Sequence, residues 1–303
     1  MSAGFPATVW FAAAGMLPLS AANFGAGQGR PAPRIERKTC VAPDGVTIVY
    51  SVAGRGETTL VFVHGGLADR TFYDRQLTVF ADRYRVIALD LAGHGESGTN
   101  RKKWGVPEFG ADVKAVVDAE QGKQVVLFGN SLGGPVAIEA ALLMPGRVIG
   151  VVGIDTFQDL GHPDTPEYRR EESEFMQKRL ESFRQDFAGA VKAMVRMLFH
   201  PDADPSLVAE TERRMARTSP AAAYATLAGL AGYDVNAPAR KLAVPLRAIN
   251  GDLYPTNIQS ARKVKPDFDA VLMRHIGHYP MLESPAAFEQ HVARFVAELT
   301  DGK

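Results

Sequence analysis

The chain has 303 residues, 46% hydrophobic and 22% charged, enough for one large domain or a core domain carrying an insertion. Its 34 Lys plus Arg balance 34 Asp plus Glu, so no bulk field recruits nucleic acid or an anionic membrane, and small-molecule partners fit better. The single cysteine, Cys40, excludes an intramolecular disulfide and a multi-cysteine metal site.

Residues 1–30 read differently from the rest. No charged side chain precedes Arg30, Val9 to Leu19 is almost wholly apolar, and Ser20-Ala21-Ala22 supplies small residues at signal-peptidase spacing. A secretory signal without a positive n-region is expected, cleaved near Ala22 and followed by the linker Gly25 to Gly29. The protein is then periplasmic or secreted; the alternative is cytoplasmic. The run is short for a membrane helix and Pro18 interrupts it, so stable membrane insertion is not expected.

From Ile35 onward short apolar runs alternate with amphipathic stretches. Arg37 to Val41 and Thr47 to Val52 read as strands around the turn signal Asp44-Gly45, and Cys40 reads as a structural strand residue. Leu60 to Val63, Arg85 to Leu91, Gln124 to Phe128, Val148 to Ile154, Leu246 to Asn250 and Ala270 to Met273 are apolar on both faces, as buried strands of a parallel sheet require. Helical patterns fall between them at Tyr73 to Asp82, Phe109 to Glu120, Leu132 to Leu143 and Pro285 to Leu299. The alternation predicts an α/β fold, a mostly parallel central sheet with helices on both faces. About Gly161 to Arg240 holds only charged or apolar helical pattern, punctuated by Pro201 and Pro205. A helical insertion between the sixth and seventh core strands is expected, dividing the chain into 31–157, 158–240 and 241–303.

The chemistry-bearing residues sit where the strand runs end, which is where ligands gather in such sheets. Gly129-Asn130-Ser131-Leu132-Gly133 fits G-x-S-x-G, follows a strand run and opens a helix, as a nucleophile elbow requires. A serine needs a base near pH 7. Among seven histidines, His278 lies in a glycine-preceded loop after the last strand run, with His275 its main rival. His64 and His94 end strand runs in glycine turns and read as turn and oxyanion-loop residues; His162, His200 and His291 read as solvated. His64 and Asp90 lack a third spaced ligand, so no metal is expected, and no cofactor motif is present.

Together, His64-Gly65-Gly66, Asp90 to Ser97, Gly129 to Gly134, and Gly277-His278 with Pro280, Glu283 and Pro285 resemble the α/β-hydrolase superfamily over roughly residues 35 to 303. The resemblance implies a helical cap at the insertion and an oxyanion hole from the N–H groups of Gly66 and Leu132. Family members commonly carry the triad acid three residues beyond a glycine after the strand Leu246 to Asn250, where this chain has Tyr254. Asp252 is near that position, while Asp155, ending the preceding strand, matches an arrangement other members use. Asp155 is preferred and Asp252 is the alternative. Serine at 131 sets the chain apart from relatives with an aspartate nucleophile. The implied activity is hydrolysis of an ester, thioester, lactone or amide through an acyl-enzyme on Ser131, with a small acyl substrate and no cofactor. His64, Phe157 and Tyr254 are candidates to touch that substrate. The absent acid at 254 keeps open a second reading, a small-molecule-binding protein on a hydrolase scaffold without turnover.

Overall fold

The computed structural model describes residues 33–163 and 165–301; the expected export segment, residues 1–30, lies outside them. The described chain begins with β1 (Glu36–Val41), where every second residue is exposed, and β2 (Thr47–Ala53), buried along nearly all its length. Gly45, at φ +86°, supplies the left-handed residue of the turn between them. β3 (Thr58–Val63), α1 (Asp74–Val79), β4 (Arg85–Leu89), α2 (Val106–Ala119), β5 (Gln124–Asn130), α3 (Gly133–Leu142) and β6 (Val148–Ile154) follow. After five helices come β7 (Leu246–Gly251), a helix at Ile258–Val264, β8 (Asp269–Met273), a single turn at Pro280–Glu283, and the last helix, Pro285–Asp301.

The eight strands form one sheet in the order β1-β2-β4-β3-β5-β6-β7-β8. β1 and β2 pair antiparallel, as do β2 and β4, and every other pairing is parallel. The central strands are buried along nearly all their length because helices cover both faces, which explains their richness in Val, Ile and Leu. On one face Phe62 stacks on Phe128 and tilts against Tyr73, with centroids 4.8 and 5.0 Å away. On the other, Val61, Val63, Ile87 and Leu89 pack with Phe109 and Val113 of α2 and Val136 of α3. Cys40 stands half-buried on the edge strand β1, and burial pushes its thiol up to about 11, so it is a packing residue rather than a reactive thiol.

The segment between β6 and β7 is helical among the described residues: α4 (Pro166–Gln185), α5 (Phe187–Leu198), α6 (Pro205–Met215), α7 (Pro220–Leu230) and α8 (Asn236–Lys241). Sequence sets the breaks. The carboxylates of Asp186 and Asp204 accept the N–H groups of Gly189 and Ser206 at the starts of α5 and α6, and Pro205 and Pro220 occupy first-turn positions where no N–H is needed. The Ile258–Val264 and Pro280–Glu283 segments are hereafter α9 and α10, and the last helix is α11.

Behind the carboxyl end of β4 a buried ion pair ties two loops together. Asp90 accepts the N–H groups of Arg70 at 2.7 Å and Glu96 at 2.9 Å and pairs with the Arg70 guanidinium, which also reaches Glu96 at 2.7 Å. Asp90 is fully buried. Removing Arg70 leaves the fully buried Asp90 carboxylate without its cation, which typically costs about 3–5 kcal/mol, whereas Arg70 without Asp90 keeps Glu96. Arg70→Ala is therefore expected to lower unfolding free energy by about that amount in urea melts. A loss below about 1 kcal/mol would mean the pair behaves like a surface one.

Candidate active site

Ser131 follows β5 and precedes α3 on a turn with no room for a side chain two residues to either side, at Gly129 and Gly133. A Cβ on Gly129 would lie 2.0 Å from the carbonyl oxygen of Gly133, and one on Gly133 would lie 2.4 Å from that of Val63. Ser131 itself takes φ +52°, a left-handed value that costs a non-glycine residue about 1–3 kcal/mol and persists only where surroundings enforce it. Its N–H donates to Ile154 O at 3.1 Å, and Gly65 passes so close that a Cβ there would sit 3.1 Å from Ser131 Cβ.

Asp155 follows β6 in a second left-handed conformation, φ +44°, and its N–H donates to Ile249 O at 2.9 Å. One carboxylate oxygen accepts the Gly251 N–H at 2.9 Å and the other lies 2.6 Å from His278 Nδ1. Because β6 and β7 are neighbours, the end of one strand aims its carboxylate across the end of the next. The His278 loop is held by Glu283, whose carboxylate accepts the N–H groups of Gly277 at 2.9 Å and Tyr279 at 3.1 Å. The histidine's own N–H donates to Leu198 O, at the end of α5, at 2.7 Å.

The structure thus brings Ser131, Asp155, His278 and the Gly65-Gly66 loop to one end of the sheet. It leaves Asp252 apart: exposed, with its carboxylate accepting the Ile276 N–H at 3.3 Å as a loop brace. Tyr254 is 41% exposed and donates its hydroxyl to Met197 O at 2.9 Å. His275 is engaged elsewhere, its Nδ1 3.1 Å from Asp202. His200 and His291, expected in solvent, are part-buried, whereas His162 is exposed. Phe157, buried at φ +66°, packs over Gly134 and Gly153. It also lines a cavity of about 730 Å³ between α3, α4 and the turn before α8, whose lining contains none of Ser131, Asp155 or His278. His64 corrects an expectation: it is fully buried, with Nδ1 2.7 Å from Gly65 O and Nε2 accepting the Leu91 N–H at 3.0 Å, so it offers no atom to a ligand. It shapes the loop beside Ser131 instead.

Asn130 is the residue the motif hides. Its side-chain amide donates to Ile154 O at 2.9 Å and to His278 O at 3.0 Å, fastening the ends of β5 and β6 to the histidine loop. In G-x-S-x-G it occupies a free position, so no local signal marks it. The insertion closes over the same region. Tyr279 packs on Phe199 and Phe72 with centroids 5.2 and 5.8 Å away, Arg214 stacks 3.9 Å above the Phe72 ring, and Thr218 donates to Leu67 O at 3.1 Å. Among the described residues, the N–H groups of Gly66 and Leu132 donate to no backbone carbonyl, and space is open beside Gly66.

Comparison with known proteins gives one family and several partial relatives. A model of the Alpha/beta hydrolase family matches residues 60–291. The chain spans less than half the length of the first curated relatives it matches. One of them is the dihydrolipoyllysine-residue acetyltransferase component of the acetoin cleaving system of Cupriavidus necator, 33% identical over 36% of this chain and 29% of that protein. A pimeloyl-[acyl-carrier protein] methyl ester esterase of Nitrosospira multiformis is 26% identical over 82% of this chain and 98% of its own length. A thermophilic esterase from Thermogutta terrifontis superposes with TM-score 0.75 at 22% identity, over 87% of this chain and 99% of that one, a likeness of fold.

Burial holds two histidines beside the site well below their ordinary value, His64 at about 4 and His94 at about 3. Both stay neutral in the folded protein as pH falls, whereas the unfolded chain takes up their protons from about pH 6.5. Their contribution is therefore fully present above pH 6.5 and is lost progressively as pH falls, to about 4 for His64 and about 3 for His94. Two such groups should lower stability by about 4 kcal/mol between pH 7 and pH 5, read from urea melts. In His94→Gln about half of that slope should disappear; an unchanged slope would show that His94 is not the buried neutral group described here.

Proposed function

Because the chain belongs to the Alpha/beta hydrolase family, we propose that it is a serine hydrolase cleaving a carboxylic ester or related acyl bond through an acyl-enzyme on Ser131. The observation that carries this reading is the 2.6 Å contact between His278 Nδ1 and Asp155, at the same strand ends as a serine in an enforced left-handed turn. A carboxylate on Nδ1 fixes the tautomer that leaves Nε2 unprotonated, so the imidazole can take the serine proton and later return it to the leaving group. Ser131 then attacks the acyl carbon, and water resolves the acyl-enzyme by the same proton route.

The negative charge of the tetrahedral intermediate falls to the Gly66 and Leu132 N–H groups. Their position flanking Ser131 and their lack of backbone acceptors support that role, and each such donor is typically worth about 3 kcal/mol in the transition state. The helices α4 to α8 act as a cap that sets which acyl or alcohol group fits, a reading supported by their contacts with the loops around Ser131 and His278. We also infer export of the protein on the strength of its N-terminal sequence. The binding-protein reading draws on the missing acid at Tyr254, and the Asp155 carboxylate beside His278 supports the hydrolase reading over it.

A fluorophosphonate probe should label Ser131 in the wild-type protein, located by peptide mass spectrometry, and fail to label Ser131→Ala. On an ester that is turned over, Asp155→Asn should lower kcat by about 10⁴-fold, while Asp252→Asn stays within a few-fold of wild type. The reverse ranking would move the acid to Asp252. Absence of both label and turnover in folded protein would hand the site to the binding reading.

A further inference from the structure

Three side chains from two distant parts of the sequence converge where the insertion meets the histidine loop. His200 and Asp202 lie in the loop between α5 and α6, and His275 lies in the loop before His278. Their ligand atoms all fall within 4.8 Å of one another. An Asp202 carboxylate oxygen is 3.1 Å from His275 Nδ1 and 3.4 Å from His200 Nδ1. Bonds of about 2.0–2.1 Å to a tetrahedral zinc ion place neighbouring ligands roughly 3.3 Å apart. The two carboxylate–imidazole separations already match that spacing, and the two imidazole donors lie within 4.8 Å of each other.

From this geometry we propose that His200, Asp202 and His275 form a zinc site, with solvent completing the coordination. The donor set selects the ion: two imidazoles and one carboxylate suit zinc or a neighbouring transition metal, whereas calcium and magnesium take oxygen ligands. His275 and Asp202 are mostly exposed, at 73% and 68%, so the fourth position faces water. His275 is held at φ +57°, which turns a non-glycine residue into the loop position facing Asp202. The Asp202 N–H now donates to His200 Nδ1 at 3.2 Å, and a metal bound at that nitrogen replaces this one loop bond.

The site has a mechanical role. His278 follows His275 by three residues and is bonded through its own N–H to Leu198, two residues before His200. Gly277 touches the same segment, where a Cβ would lie 2.4 Å from Leu198 O and 2.7 Å from His200 N. A bound ion would cross-link the two loops at this joint and hold the insertion against the loop that bears His278. The inference does not depend on what Ser131 does.

The test is calorimetric titration of zinc chloride into the tag-free, chelator-treated full chain. One equivalent should bind per chain and raise Tm by several degrees, since an ion that binds only the folded state stabilises it. Losing even a residue that merely supports a ligand costs about 10- to 100-fold in metal affinity, so His275→Ala and Asp202→Asn should each weaken binding by at least tenfold. Ser131→Ala should bind as wild type does, which separates this site from the hydrolase reading. Both loop substitutions are at exposed positions, and circular dichroism checks that each variant folds. Absence of stoichiometric binding by wild type, or binding by both loop variants with wild-type affinity, would overturn the proposal.

Discussion

A sheet covered by helices on both faces has few places for polar chemistry. Along β3, β5 and β6 nearly every side chain is buried among apolar neighbours, and an unpaired polar group there would lack both water and a partner. Only the strand ends, where the ladder stops and the chain turns, can present a hydroxyl, a carboxylate or an imidazole. Parallel strands put their ends on one side, and the order β3-β5-β6-β7 sets four successive turns side by side. The site follows from that arrangement: Gly65-Gly66 after β3, Ser131 after β5, Asp155 after β6, and Gly251 at the end of β7 bracing the carboxylate.

What holds these turns in register is mostly backbone and short polar side chains. Asn130 on β5 and Asn250 on β7 work in parallel, with β6 between them. The first spans Ile154 O and His278 O; the second bonds both the N–H and the carbonyl of Thr156, just after Asp155. Such bonds are individually modest, about 1 kcal/mol net, but each fixes a loop whose freedom would otherwise blur the geometry by more than catalysis tolerates. The left-handed residues Ser131 and Asp155 sit within this frame, where neighbouring contacts over-determine their conformations.

The parts legible in the sequence were those encoded over a few adjacent residues. Buried strand runs, the glycines around Ser131 and the proline breaks of the insertion are local steric facts, and they map onto the structure within a few residues at most boundaries. The partner of His278 is not local. Asp155 and Asp252 are both aspartates at strand ends, and telling them apart needs the knowledge that β6 lies beside β7 and that the Asp252 carboxylate turns back to Ile276. His64 shows the opposite limit: its motif marks the loop correctly, but only the packing reveals a ring with both nitrogens engaged inside the protein. His200 and His275 were separated by 75 residues of chain, so no spacing rule could join them.

The two glycines that flank Ser131 carry a final implication. Neither is there for the reaction: each is excluded from bearing a side chain by a carbonyl oxygen, of Gly133 in one case and Val63 in the other. The spacing of the motif therefore records how tightly strand and helix are joined, independently of what the middle residue does. A descendant that exchanged Ser131 for an inert side chain would still be obliged to keep both glycines. Inherited spacing testifies to ancestry, and only the side chains between the glycines and across from them testify to use.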